Sequence, residues 1–214
     1  MQFTTAGGGG TNNSVTGVFG ATPGVGDILL AFIGLGSSVA TCTANSGSWT
    51  SQYHSTTSGN GAVQLYTHIV GVSETNSYNF TFSATEWNTA VLVALPYSGG
   101  SAAFDQAGTN STGSTPSLTD TYSGDIVFVQ GMQNSGSGLS SGLAGWTVLA
   151  DITPGYHENI VFYKTFAGTS VGSQTVTSAT ATGVASAYVP PPAPPNPGFL
   201  QPIMRTVPIM RATW

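Results

Sequence analysis

The chain has 214 residues, of which only 5% are charged, with three cations against eight acids. Two of the three cations, Arg205 and Arg211, lie near the C-terminus, so up to Val189 a single Lys faces all eight acids: the body carries about −7 and the terminal segment +2. An acidic body of this kind disfavours nucleic acid and anionic lipid as partners, because both are held mainly by Lys and Arg clusters.

A composition 40% apolar and 10% aromatic, with 29 Gly, belongs to a folded domain with Gly-rich turns and Ser/Thr-rich outer faces rather than to a disordered chain. Residues 1–14 read as a flexible lead. Gly7 to Gly10 precede Thr11-Asn12-Asn13 with no Lys-Ser/Thr pair after them, so they make no phosphate loop. Ile28–Ile33, Val91–Leu95 and Ile126–Val129 have the continuous apolar character of strands buried on both faces. Tyr78, Phe80 and Phe82 share one face of a strand and Asn79, Thr81 and Ser83 the other, and Val63, Leu65 and Ile69 alternate in the same way around Thr67. No stretch carries a capped helical stripe, so almost entirely β structure is expected. Lone Cys42 excludes an internal disulfide, and Met1-Gln2-Phe3 opens no basic-plus-apolar signal segment. The apolar run Ile28 to Leu35 is broken by Gly34 and is too short to cross a bilayer. The expectation is a protein made in a cytoplasm, without membrane insertion.

The body repeats itself. Gly26-Asp27-Ile28-Leu29-Leu30 returns as Gly124-Asp125-Ile126-Val127-Phe128, Gly47-Ser48-Trp49-Thr50 as Ala144-Gly145-Trp146-Thr147, and Val63-Gln64-Leu65-Tyr66-Thr67 as Ile160-Val161-Phe162-Tyr163-Lys164, at offsets of 98, 97 and 97. The half-repeats span about 15–100 and 115–189. The polar stretch from Ser98 to Thr121 still contains Phe104 and Leu118, unlike a flexible linker. We therefore expect one jelly-roll-like double-sheet sandwich over 15–189, each half supplying strands to both sheets, with two tandem immunoglobulin-sized domains as the alternative.

These motifs, Gly-Asp before an apolar run, Gly-x-Trp-Thr, an apolar-Tyr-Thr/Lys strand and Tyr-x-Phe-Thr-Phe followed by a second round, resemble β-sandwich virion proteins of tailed bacteriophages, especially those of actinobacteria, commonly labelled minor tail proteins. The resemblance covers roughly residues 15 to 188. It implies a non-enzymatic virion component, in the tail before the capsid, that joins other virion proteins or copies of itself, with a homo-oligomer expected. The alternatives are a capsid decoration protein and a glycan-binding module for host recognition.

The C-terminal segment differs from the body. Residues 190–198 are a polyproline spacer, of which Pro190 to Pro197 span roughly 25 Å at about 3.1 Å per residue. Residues 199–214 hold a doubled hexad, Pro202-Ile203-Met204-Arg205-Thr206-Val207 and Pro208-Ile209-Met210-Arg211-Ala212-Thr213. If this segment is extended, both prolines remove donors from one edge and leave the other edge complete, which is the layout of an added edge strand. Phe199, Ile203, Met204, Ile209, Met210 and Trp214 are the expected partner-binding anchors, with Arg205 and Arg211 pairing with carboxylates. An arm folded back on its own body is the competing reading.

Chemistry is sparsely represented. His54, His68 and His157 lack metal-ligand spacing and a nucleophile partner, so no catalytic residue, metal or cofactor is expected. His157-Glu158 beside Asp151 reads as a polar loop before a strand. Asp27 and Asp125 read as turn carboxylates that accept backbone N–H groups. Trp49 and Trp146 recur at matching places and read as core corners; Trp87, Tyr53 and Tyr156 are the glycan-binding candidates, by ring stacking.

Overall fold

The computed structural model describes residues 1–36, 40–44, 47–55, 61–96, 103–110, 112–134, 138–139, 143–153, 155 and 157–188, with only the backbone of 8–11 and 103. The spacer and arm expected at 190–214, including Phe199, Ile203, Met204, Arg205, Ile209, Met210, Arg211 and Trp214, lie outside the described residues, as does Tyr156. The first half contains β1 (Gln2–Val18), β2 (Ile28–Leu35), β3 (Cys42–Ala44), β4 (Thr50–His54), β5 (Ala62–Ile69) and β6 (Ser77–Leu95). The second contains β7 (Ala103–Asn110), β8 (Leu118–Thr119), β9 (Ile126–Gln133), β10 (Thr147–Ile152), β11 (Glu158–Thr165), β12 (Ser170–Val171) and β13 (Ala181–Tyr188).

The protein is an all-β double-sheet sandwich. One antiparallel sheet runs β1-β6-β2-β5-β4, with β3 paired to β6; the other runs β7-β13-β9-β11-β10. The two orders are the same once β1 is matched to β7, β6 to β13, β2 to β9, β5 to β11 and β4 to β10, so the sequence repeat is a structural one. Its punctuation repeats as well. Gly26 and Gly124 hold φ of 88° and 96°, and Gly47 and Gly145 hold 74° and 78°, a left-handed region in which a side chain is strained. Gly26 and Gly124 donate to the carbonyls of Val70 and Phe166, closing the same turn in each half.

The allotment of strands differs from expectation, since each half builds one whole sheet instead of contributing to both. The physical reason lies in the central strands. All eight residues of β2 are buried, and side chains alternate across a strand, so both faces of the sheet need cover. Ile28, Leu30 and Phe32 face the other sheet and share a core with Val91, Val93, Phe128, Met132 and Val161. Leu29, Ala31, Ile33 and Leu35 face outward onto a second core that includes Val15, Phe19, Tyr78, Phe80 and Phe82. The second half has its own outer core, with Val127, Val129, Ile160 and Phe162 under Leu118, Val171 and Val176. Because the inner core is common to both halves, they do not form the separate tandem domains of the alternative reading.

The outer cover of the first half comes from bent strands. Tyr78, Phe80 and Phe82 on β6 are buried in alternation, residues 83–85 are exposed where the strand turns, and Ala90–Leu95 are buried without alternation. Pairing with β1 follows this bend, with register shifts between Gly8 and Asn12 and between Asn12 and Ser14. Residues 1–14, expected as a flexible lead, are therefore mostly sheet: Gln2 pairs with Ala94 and Gly8 with Asn88. The partner strand supplies the backbone bonds that glycine-rich sequence alone does not suggest. The second half likewise begins earlier than expected, at β7.

One polar side chain pins the sheets together. Gln130 on β9 is fully buried; it accepts the Tyr53 hydroxyl of β4 at 2.9 Å and donates to the Ile33 carbonyl of β2 and the Asn159 side chain, both at 3.0 Å. Gly183 on β13 lies so close to Tyr53 that a Cβ there would overlap the phenol. Tyr53→Phe strips the Gln130 carbonyl of its donor while keeping the ring, and should lower stability by about 1–3 kcal/mol. Urea unfolding should show a lower midpoint with an unchanged slope.

Candidate functional site

Two polar clusters stand out from the apolar frame. The first closes the Trp49 corner. His68 on β5 has Nδ1 2.9 Å from the Ser48 carbonyl and Nε2 2.8 Å from Glu74 Oε2, so both ring nitrogens face acceptors. Glu74 also accepts the Gly71 N–H at 2.7 Å and the Tyr78 hydroxyl at 3.3 Å. Trp49 lies over this group, 5.2 Å from the His68 ring and 5.7 Å from Tyr78, and packs against the first outer core. An open cavity of about 540 Å³ borders it, lined in part by Ile28, Thr50, Thr67 and Phe104. Burial pushes the Glu74 carboxyl up, but the Gly71 N–H, the His68 ring and the Tyr78 hydroxyl outweigh it and hold the carboxyl below its usual range. Trp146 occupies the matching corner, 5.6 Å from Phe166 beside the second outer core. Both tryptophans thus sit at corners, as their repetition indicates.

The second cluster has no sequence signature. Asp105 on β7, Asp120 after β8 and Asp125 before β9 bring one carboxylate oxygen each to within 4.8 Å of one another. Asp125 is fully buried and Asp120 is 3% exposed, and none of their four carboxyl oxygens meets a protein donor in hydrogen-bonding geometry. Asp105, at the rim, accepts the Thr121 hydroxyl at 2.6 Å and the Thr121 N–H. Burial, with a proton shared with Asp105 and the charges of Asp120 and Asp105, pushes the Asp125 carboxyl up to about 7. Burial also raises the Asp120 carboxyl, against the Ser186 hydroxyl and with the Asp105 charge. The expectation of two equivalent turn carboxylates therefore holds for one residue only. Asp27 accepts the Gly24 N–H at 2.8 Å, whereas Asp125 faces other acids because its loop carries Asp120 and β7, across β13 from β9, carries Asp105. Three carboxylates separated by as much as twenty residues carry no motif that singles out Asp105 and Asp120 in the sequence.

The other sequence candidates fall elsewhere. Tyr53 is buried between the sheets on Gln130 and presents no ring to a sugar, which removes it from the glycan-binding set. Its place opposite the glycine at 183 in the inner core is the reason. Trp87 on β6 is half-buried, with its ring 5.4 Å from His157 and close against Gly155. His157 and Glu158 are buried instead of forming a solvated loop: Glu158 opens β11 and accepts the Leu139 N–H at 2.5 Å and the Gln133 amide at 3.1 Å. Burial lowers the His157 ring and raises the Glu158 carboxyl. No protein-family model, curated protein or solved structure compared with the chain matches it.

The Glu74 arrangement sets a pH dependence. A carboxylate held below its unfolded value contributes stability that is complete above the unfolded pKa, about 4.3, and is lost as pH falls through the folded value. Wild-type unfolding free energy should therefore drop relative to Glu74→Gln between about pH 5 and pH 3. Urea titrations across pH check this directly.

Proposed function

We propose that the protein is a non-enzymatic structural component of a bacteriophage virion, a minor tail protein, held to neighbouring subunits or to copies of itself through its C-terminal arm. The observation that carries this reading is the contrast between an acidic body and a cationic, apolar C-terminal segment. Among the described residues the three cores run from Val15 to Ala187, and β13 ends at Tyr188 against Tyr122, with ring centroids 4.5 Å apart. Residues 189–214 carry two of the three cations of the chain and a spaced series of large apolar side chains. A cationic, apolar strand-former attached by a stiff spacer to an acidic body suits insertion at the sheet edge or groove of another subunit. The motif resemblance to phage β-sandwich virion proteins supports the same assignment.

On this reading a chain ending at Pro197 should unfold at the same urea midpoint as the full protein and should fail to enter assembled particles. Normal incorporation of the truncated chain contradicts docking in trans; a lowered midpoint shows that the arm serves its own body.

The glycan-binding reading retains Trp87 among the described residues, since that ring is partly exposed beside His157. On this reading Trp87→Ala abolishes a glycan-array signal of the wild-type protein while the circular dichroism spectrum is kept; a wild-type protein with no signal on the array excludes it.

A further inference from the structure

We propose that Asp105, Asp120 and Asp125, with the hydroxyl of Ser186, form a calcium-binding site on the outer face of the second sheet. The donor set is all oxygen, which selects hard cations such as calcium and magnesium over the softer transition metals. Its spacing fits calcium. Ligand atoms about 2.4 Å from a calcium ion can lie up to about 4.8 Å apart, and a site offering several protein oxygens suits calcium better than magnesium, which keeps most of its waters. The three carboxylate oxygens lie within 4.8 Å of one another.

The acids alone do not make the argument; the fourth group and the repeat do. Ser186 on β13 is fully buried, its hydroxyl makes no hydrogen bond of normal geometry, and it faces Asp120. A buried hydroxyl and two buried carboxyls aimed into one spot, with no N–H group or cation bonded to them, are costly to bury unless a ligand completes them.

The first half is an internal control. Ser186 pairs with Val127, the second residue of β9, and the equivalent partner of Leu29 in β2 is Ala94. Asp120 donates its N–H to the Thr169 carbonyl as Phe19 does to that of Asn76, so the buried Phe19 side chain stands where the second half has a carboxylate. The third equivalent, Asp27, is satisfied by the Gly24 N–H. The same frame thus closes this corner with Phe19 and Ala94 in one half, and in the other replaces both by oxygen-bearing side chains around an unsatisfied Asp125. Mere closure of the sheet end does not require that exchange. The loop of residues 120–125 carries acids at both ends. Binding would tie this loop to β7 and β13.

Calorimetric titration of chelator-treated full-length protein with calcium chloride tests the site. One calcium per chain is expected, with a higher unfolding temperature in calcium than in EDTA and little displacement by equimolar magnesium chloride. Asp125→Asn and Asp105→Asn should each weaken binding by at least about tenfold. Asp27→Asn, at the equivalent position of the first half, should bind as wild type. Asp105 lies at the rim, so its variant keeps the test decisive if Asp125→Asn does not fold. Absence of calcium binding by the wild-type protein, or equal loss in Asp27→Asn, overturns the proposal.

Discussion

Strand β2, the Ala90–Leu95 stretch of β6 and β9 from Val127 onward give no face to water, and the architecture follows from that constraint. A sheet with one apolar face needs a single partner; a sheet whose central strands are apolar on both faces needs two. Here the inner partner is the other half of the chain and the outer partner is supplied by each half from its own bent strands and loops. The result is three cores in series, with Phe32 and Phe128 meeting at 5.4 Å in the middle one. Gln130 adds direction to this otherwise greasy contact, because its amide reaches two strands of the opposite sheet and fixes how the sheets sit on each other.

Much of this was legible in the residues. The continuous apolar runs at 28–35 and 91–95 marked strands buried on both sides, and Tyr78, Phe80 and Phe82 marked a strand buried on one. The Gly-Asp and Gly-Trp repeats marked equivalent turns, and the shared positive φ of Gly26 and Gly124 is their physical cause. What the residues did not disclose was long-range pairing. Glycines 7–10 have no side chains to signal a strand, and only β6 alongside makes them one. The allotment of one sheet to each half turns on which apolar strands pair, a choice that local periodicity leaves open. Tyr53 looked like an available ring because alternation on the short β4 does not tell inward from outward.

The candidate sites divide along the same line. The Trp49 corner follows from a local motif; His68 on β5 and Glu74 in the loop after it complete it. The acidic cluster was invisible because its members come from three separate segments and share only a position in space. Its asymmetry between the halves is what gives it meaning: duplication supplied two copies of one corner, and only one acquired the oxygen donors. A body whose two sheets cover each other can change such peripheral corners without disturbing the shared core.

The central claim is that the halves are one cooperative body because they bury a common core. Native-state amide hydrogen exchange across a urea series measures this directly, residue by residue. The slowest amides of β2 and β6 should merge with those of β9 and β13 into a single opening free energy with one denaturant dependence. Two separate plateaus, with one sheet opening while the other stays protected, would contradict it.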